Sequence, residues 1–444
     1  MLGNLFSNLL AAGIVLGVII VIHELGHFLV AKFFNIRVDT FSVGFGPRLL
    51  GFRRGDTDYR LSAFPLGGYV KMAGETPGDN LTGEPYEFLS KPKWQRFLVD
   101  VAGPAMNVIL AVVLLTGLYV YGTDVPEFLS GQAVIGIVEA GSPADRVGIK
   151  AGDWIVSIDG KQRPDWQDVQ NRILTNPDRT LPIVIERGGK RMELAIAPER
   201  KGREEIGYAG MGPLIRTVVS RVHDKSPAQA AGVKAGDEIV RVNGIDLKTS
   251  GRSIQDTIQG IPEKTFPIAV LRGNPPMEVE LQVTPMVQDK RKLIGIDIPY
   301  PTVQIKLGLV DAFKKSVESN RENAVLIFQV IGKLFKREAS LKQLDGPIGI
   351  ITVSGQAAEA GWATLITLIA LISLNLGVLN ILPIPILDGG VIMLLLIESV
   401  MGRDLSLRMK ERIVQVSFVF LLMLTVIVLY NDVVKLLPPS QPGP

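Results

Sequence analysis

The chain has no cysteine among its 444 residues. Disulfide bonds, thiolate-ligated metals and a cysteine nucleophile are therefore excluded, while the compartment is left open. A charge excess is also lacking, since 47 Lys and Arg against 44 Asp and Glu leave a net +3. That surplus is too small to draw nucleic acid, and no basic-aromatic recognition pattern accompanies it. No Lys or Arg precedes the first apolar run, so the basic opening of a secretory signal is missing and the run reads as an uncleaved span. Histidine is scarce, with three copies. What is abundant is apolar: hydrophobic residues make up 47% and mean hydropathy is +0.28. With 20% charged residues, the balance fits membrane spans joined to ordinary soluble domains, several units rather than one.

Two of the three histidines fall in His23-Glu24-Leu25-Gly26-His27, at the end of an apolar run that begins near Leu9. On a helix, positions four apart share a face, so both imidazoles can ligate one zinc ion. Glu24 is then placed as general base. Ionisable groups inside a bilayer are expensive and functional by default. The competing reading is polar residues packed between helices without a metal. Cleavage of the first run as a signal would also discard this motif.

The first span runs from about Leu5 to Phe34 (region 1–34), long enough for the ~20 apolar residues a bilayer needs. Lys32, Arg37, Arg48, Arg53, Arg54 and Arg60 follow it, which puts the amino terminus outside and residues 35–96 on the cytoplasmic side. Three stretches in that region have strand-like content: 40–47, 58–64 and 67–72. They form either a surface hairpin or a sheet edge beside the metal, with Gly67, Gly68 and Tyr69 placed to meet an extended substrate. A second span (97–122) contains Gly103-Pro104-Ala105-Met106-Asn107. Packing is the favoured reading there, with an interhelical hydrogen bond from Asn107 and a ligand-orienting role as the weaker alternative.

The segment between turns soluble and is internally repeated. Ser142-Pro143-Ala144 returns as Ser226-Pro227-Ala228, and Gly148-Ile149-Lys150-Ala151-Gly152-Asp153 as Gly232-Val233-Lys234-Ala235-Gly236-Asp237, both at an offset of 84. A constant offset implies tandem copies of one unit, assigned to 123–206 and 207–300. The blocks resemble PDZ domains, which bind peptides by strand addition and capture C-terminal carboxylates. A steric filter is the alternative and weighs slightly more, because neither copy has an obvious Gly-Leu-Gly-Phe-type loop. His223 reads as an isolated surface residue. Residues 301–360 are expected to form interfacial amphipathic helices, with a further span near Ala324–Phe335 as the competing view.

A third span (363–387, region 361–390) carries Asn375, Asn380, Pro383, Pro385 and Asp388. Catalytic zinc needs three protein ligands and one open position, and Asp388 is the candidate third ligand, at the same depth as His27. Its competing role is to cap the next helix. Pro383 and Pro385 break the helix, and Asn375 and Asn380 are placed to bind an opened substrate strand. A cytoplasmic loop (391–412), a fourth span (413–436) and a disordered tail (437–444) complete the chain, with both termini outside. The fold class is thus a polytopic α-helical membrane protein with four transmembrane helices, a membrane-associated β-loop and two periplasmic α/β PDZ domains.

Taken together, H-E-x-x-H, G-P-x-x-N, the tandem PDZ-like units and N-x-x-P-x-P-x-L-D-G resemble the site-2 protease family over nearly the whole chain. The resemblance implies a zinc metalloendopeptidase of the bacterial inner membrane. Its implied substrates are single-pass membrane proteins, cut within or near the transmembrane segment. They include an anti-sigma factor such as RseA, in the envelope-stress response, and leftover signal peptides. It further implies His23, His27 and Asp388 as ligands, Glu24 as base, and Asn375 and Asn380 as substrate contacts. It also raises the weight of 40–72 as a substrate-receiving sheet. A zinc transporter and a PDZ-bearing membrane scaffold are the rival classes; the first needs ligands along a through-path, and the second needs no metal motif.

Overall fold

The computed structural model describes residues 2–75, 82–203, 205–288, 291–336, 340, 342 and 346–436. The tail expected from Leu437 onward lies outside these. The chain divides into two compact units, one of Met1–Thr123, Lys306–Lys333 and Leu344–Pro444, the other of Asp124–Ile305 with Leu334–Gln343.

In the first unit, α1 (Leu2–Phe33) leads through strands β1 (Val38–Arg54) and β2 (Thr57–Met72) to α2 (Lys93–Tyr121). After the second unit come α3 (Leu309–Phe335), α4 (Pro347–Ala360), α5 (Trp362–Asn380), α6 (Asp388–Met401) and α7 (Leu407–Leu436). Four described helices are long and apolar enough to cross a membrane: Leu5–Phe33, Lys93–Tyr121, Trp362–Asn380 and Leu407–Lys435. Small residues let them approach closely. A Cβ at Gly26 would lie 2.3 Å from the Ala102 carbonyl oxygen, and one at Gly377 would lie 2.9 Å from that of Pro104. Around these contacts Ala111, Leu115, Ala370 and Leu374 form a buried seam between α2 and α5, and Val15, Ile19 and Ile369 one between α1 and α5. Ser316 Oγ donates to the Val112 carbonyl (2.8 Å) and holds α3 against α2.

Two boundaries differ from expectation. The third span ends at Asn380, and Asp388 opens a separate helix, α6. Residues 381–387 between them are non-helical, as two prolines without N–H groups require. Residues 391–401, expected in a loop, continue α6, and only 402–406 separate it from α7. Local apolarity could not separate a short helix from the span before it.

The strand region is more folded than three stretches implied. Residues 57–62 pair on one side with 48–54 (Arg54↔Thr57, Gly51↔Arg60) and on the other with 40–43 (Thr40↔Asp58, Val43↔Leu61). Residues 40–43 also pair with 68–72 (Val43↔Gly68, Thr40↔Lys71). The two long strands therefore double back into a four-segment sheet whose outer segments are 48–54 and 68–72.

The second unit contains two copies of one fold. Trp154–Ile158 and Glu238–Val242 are the second strands of matching four-stranded sheets, flanked by Lys161–Gln162 and Leu181–Arg187 in one, Ile245–Asp246 and Phe266–Arg272 in the other. Each Gly-x-Lys-Ala-Gly-Asp block is a turn with left-handed glycines, φ 82° and 89° at Gly148 and Gly152, 86° and 90° at Gly232 and Gly236. Its aspartate is buried and clamped by the same arginine in both copies, Arg187 to Asp153 (2.6 Å) and Arg272 to Asp237 (2.7 Å). Met211–Pro213 pairs back onto Ile135–Val138, so this stretch belongs with the first copy although it follows residue 207. Thr302–Ile305 pairs with Thr123–Pro126 and closes the unit, where interfacial helix had been expected.

Candidate metal centre

His23 and His27 stand one turn apart on α1, and Asp388 opens α6. Their ligand atoms converge: His23 Nε2 lies 3.2 Å from His27 Nε2 and 3.2 Å from Asp388 Oδ2, and His27 Nε2 lies 3.7 Å from Asp388 Oδ1. Tetrahedral zinc with bonds near 2.0 Å separates its ligands by about 3.3 Å. Asp388 Oδ2 is buried with no hydrogen-bond donor among the described residues. An orphaned carboxylate oxygen facing two imidazole nitrogens is costly unless a cation sits among them. The three residues form the metal-competent cluster found among the described residues, and they fit zinc. Asp388 is not a helix cap: the N-cap position of α6 is Leu387, and no side-chain cap bond is made.

The far nitrogen of each ring is held by α2. His27 Nδ1 donates to the Val99 carbonyl (2.8 Å). That bond places the N–H on Nδ1 and leaves Nε2 free to ligate. His23 Nδ1 meets the Asn107 amide at 3.2 Å. Asn107 Oδ1 is buried without a partner, and an amide turned by half a rotation would accept the His23 N–H. Asn107 thus meets the far nitrogen of His23, the contact that the orienting role, given less weight in the sequence, calls for. Between these contacts Gly103 faces the ring pair, and a Cβ there would lie 2.2 Å from His27 Nε2. Positions 103 and 107 share one helical stripe; that spacing was the available signal for their common task. Ser373 Oγ on α5 donates to the Asn107 carbonyl (2.8 Å), a support with no sequence signature.

The approach of α6 also depends on glycine. A Cβ at Gly389 would meet the Ile381 carbonyl oxygen at 2.2 Å, and one at Gly390 the Ile384 carbonyl oxygen at 2.3 Å. The two glycines let the 381–387 segment fold over the start of α6, which delivers Asp388. Pro383, exposed, and Pro385, half-buried, lie in that segment; Asn380 ends α5 and Asn375 is half-buried within it.

Glu24 is half-buried on α1. The sheet segment 68–72 runs beside it, close enough that a Cβ at Gly68 would lie 3.3 Å from Glu24 Cγ and 3.2 Å from Ile20 Cγ2. Gly67 has φ 135° and abuts the Phe45 ring, which stacks on Tyr69 at 6.0 Å. His223 belongs to the second unit, half-exposed and paired with Asp297 (2.8 Å).

Residues 11–424 match the model of peptidase family M50. The regulator of sigma-E protease RseP of Escherichia coli is 30% identical, with 95% of this chain and 97% of the relative covered. The regulator of sigma E protease of Haemophilus influenzae is 31% identical over 95% and 98%, and the protease RseP of Yersinia pestis 32% over 98% and 100%. A match of this extent, on a chain that brings two histidines of a span helix to a distant aspartate, establishes that the protein belongs to peptidase family M50 and is a zinc metalloprotease.

Proposed function

We propose that this protease works inside the bacterial inner membrane and cuts single-pass membrane proteins within or near their transmembrane segments. The observation that carries the reading is the convergence of His23, His27 and Asp388 on a helix pair that includes a membrane-length span. Similarity to regulators of sigma-E supports an anti-sigma factor as one substrate, and remnant signal peptides are a second class. The basic residues after α1 orient the site toward the cytoplasm, with the repeats and both termini in the periplasm.

Zinc held by the three ligands supplies Lewis acidity toward a water and toward the scissile carbonyl. Glu24 takes a proton from the attacking water and returns it to the departing amide nitrogen. Two neutral imidazoles, Asp388 and Glu24 together balance the ion's charge, which limits the cost of the site in low dielectric. A helical substrate hides its carbonyls in its own hydrogen bonds, so it must be opened before hydrolysis. Segment 68–72, at the sheet's edge beside Glu24, takes the opened stretch as an added strand. Gly67 and Gly68 keep that edge close to α1, with Tyr69 beside them. Asn375, Asn380 and the Pro383–Pro385 turn contact the strand from the other side.

The repeats are read as PDZ domains that filter substrates by size or receive peptide termini. A cleft of about 990 Å³ bordered by Ile137 and Pro213 of the first copy and by Leu247, Ile254, Ile294 and Ile296 of the second supports the peptide-receiving reading.

The test is Glu24→Gln in the full-length protein. Zinc content should stay near that of wild type while cleavage of a tagged single-pass substrate is lost. Undiminished cleavage by this variant would remove Glu24 from its role.

A further inference from the structure

The stripe of α2 that faces the histidine pair continues toward the Phe33 end of α1 as Asp100 and Arg96. Positions 96, 100, 103 and 107 recur at helical spacing. Gly103 abuts His27, and Asp100 lies about one turn along the same helix. Both charged residues are buried, Arg96 at 7% and Asp100 at 9% exposure. Arg96 Nε and Asp100 Oδ2 each lack a hydrogen-bond partner among the described residues. A third group is freed beside them. Pro104 lies inside α2 and has no N–H, so the Asp100 backbone carbonyl loses its donor in the helix ladder. Asp100 Oδ2, one turn along α2 from Gly103, and Arg96 Nε, two turns away, thus stand unsatisfied, and the Asp100 carbonyl lacks its ladder donor, which is costly unless something polar visits.

We infer that Asp100 and Arg96 form a receiving site for the amino terminus created by cleavage. The inference rests on the protease reading above. Hydrolysis breaks the C–N bond and forms a C–O bond with water. Both water protons end on the nitrogen, giving a carboxylate on one fragment and an α-ammonium on the other. The ammonium has three N–H donors for Asp100 Oδ2 and the Asp100 carbonyl. The carbonyl of the same first residue, two bonds from the nitrogen, is the acceptor that Arg96 lacks. A lysine side chain would satisfy Asp100 but offer nothing to Arg96. An amino-terminal residue answers both, and the neighbouring centre makes one per turnover.

The experiment uses the full-length protein in detergent. The carboxy-terminal product is defined by mass spectrometry of a wild-type digest, then synthesised with a free and with an acetylated amino terminus. Each peptide is assayed as an inhibitor of cleavage of the tagged substrate. The free-amine peptide should inhibit at least about tenfold more strongly in wild type, about 1.4 kcal/mol of discrimination. That ratio should fall to about one in Asp100→Asn and persist in Asp100→Glu. Equal inhibition by the two peptides in active wild-type enzyme overturns the inference, and so does an undiminished ratio in Asp100→Asn. The wild-type comparison decides even if a variant does not fold. Failure of the protease reading looks different: cleavage would be absent, or would survive Glu24→Gln.

Discussion

Each imidazole of the centre has one nitrogen committed to α2 and the other turned toward Asp388. The Val99 carbonyl holds His27, and Asn107 meets His23. Contacts of this kind fix the tautomer and ring plane of a metal ligand. Replacing Asn107 by Leu should lower zinc affinity about 10–100-fold, read by competition with a chromophoric chelator. Gly103→Ala should be harsher, because its Cβ would lie 2.2 Å from His27 Nε2 and 2.8 Å from His23 Nε2. Zinc bound per purified chain should fall well below that of wild type, and cleavage with it. Wild-type zinc content in Gly103→Ala would mean that α2 is free to retreat.

Among the elements, α6 carries Asp388 at one end and is pinned at the other. Glu398, 1% exposed near its C-terminus, receives Lys410 Nζ at 2.6 Å from α7 and the Leu405 N–H at 2.9 Å, with Lys93 Nζ of α2 at 4.0 Å. Removing one partner of a buried pair leaves a charge uncompensated, at a cost of about 3–5 kcal/mol. Lys410→Met should lower the thermal midpoint, and adding Glu398→Gln should recover most of the loss. A double variant no better than the single would show that the charge is not the cause. α7 is tied down separately. Asp432 accepts from the backbone N–H of Gly346 (2.9 Å) and of Ile348 (2.9 Å), and so caps α4 from another helix. Asp432→Ala should cost about 1–2 kcal/mol, seen as faster hydrogen exchange at the start of α4.

At the scale of the whole molecule, the repeated unit has its own acid limit. Burial alone would push the Asp237 carboxyl up, but the Arg272 hydrogen bonds and the Lys234 N–H outweigh it and hold it below its ordinary range. Glu238 is likewise held low, burial being outweighed by Arg216 and Lys248. A depressed folded value means that the unfolded chain binds more protons. The stabilisation is therefore complete above the ordinary carboxylate range, near pH 4, and is lost as pH falls through the lower folded values. Arg272→Met should move the acid unfolding of the second copy to higher pH, followed by hydrogen exchange in Glu238–Val242.

Much of this architecture was legible because it is written locally. Four apolar runs of membrane length, the 84-residue repeat and the i, i+4 histidines are all patterns within a window of chain. A helix opening near Asp388 was legible from Pro383 and Pro385, which break the span before it; its extent through Met401 was not, since 391–401 read as loop. The folding of 38–72 into four segments was also hidden, because two bends divide long strands whose composition hardly changes.

By itself the sequence determined which residues had the chemistry of a metal site and where the helices that carry them run. Side-chain type and helical period are properties of short stretches. Only the tertiary structure decided that α2 holds the far nitrogen of each histidine, and that Asp388 arrives from a separate helix more than three hundred residues further along the chain. Such meetings depend on how closely helices pack. At Gly26, Gly103 and Gly377 that closeness depends on an absent Cβ whose neighbours lie far away in sequence.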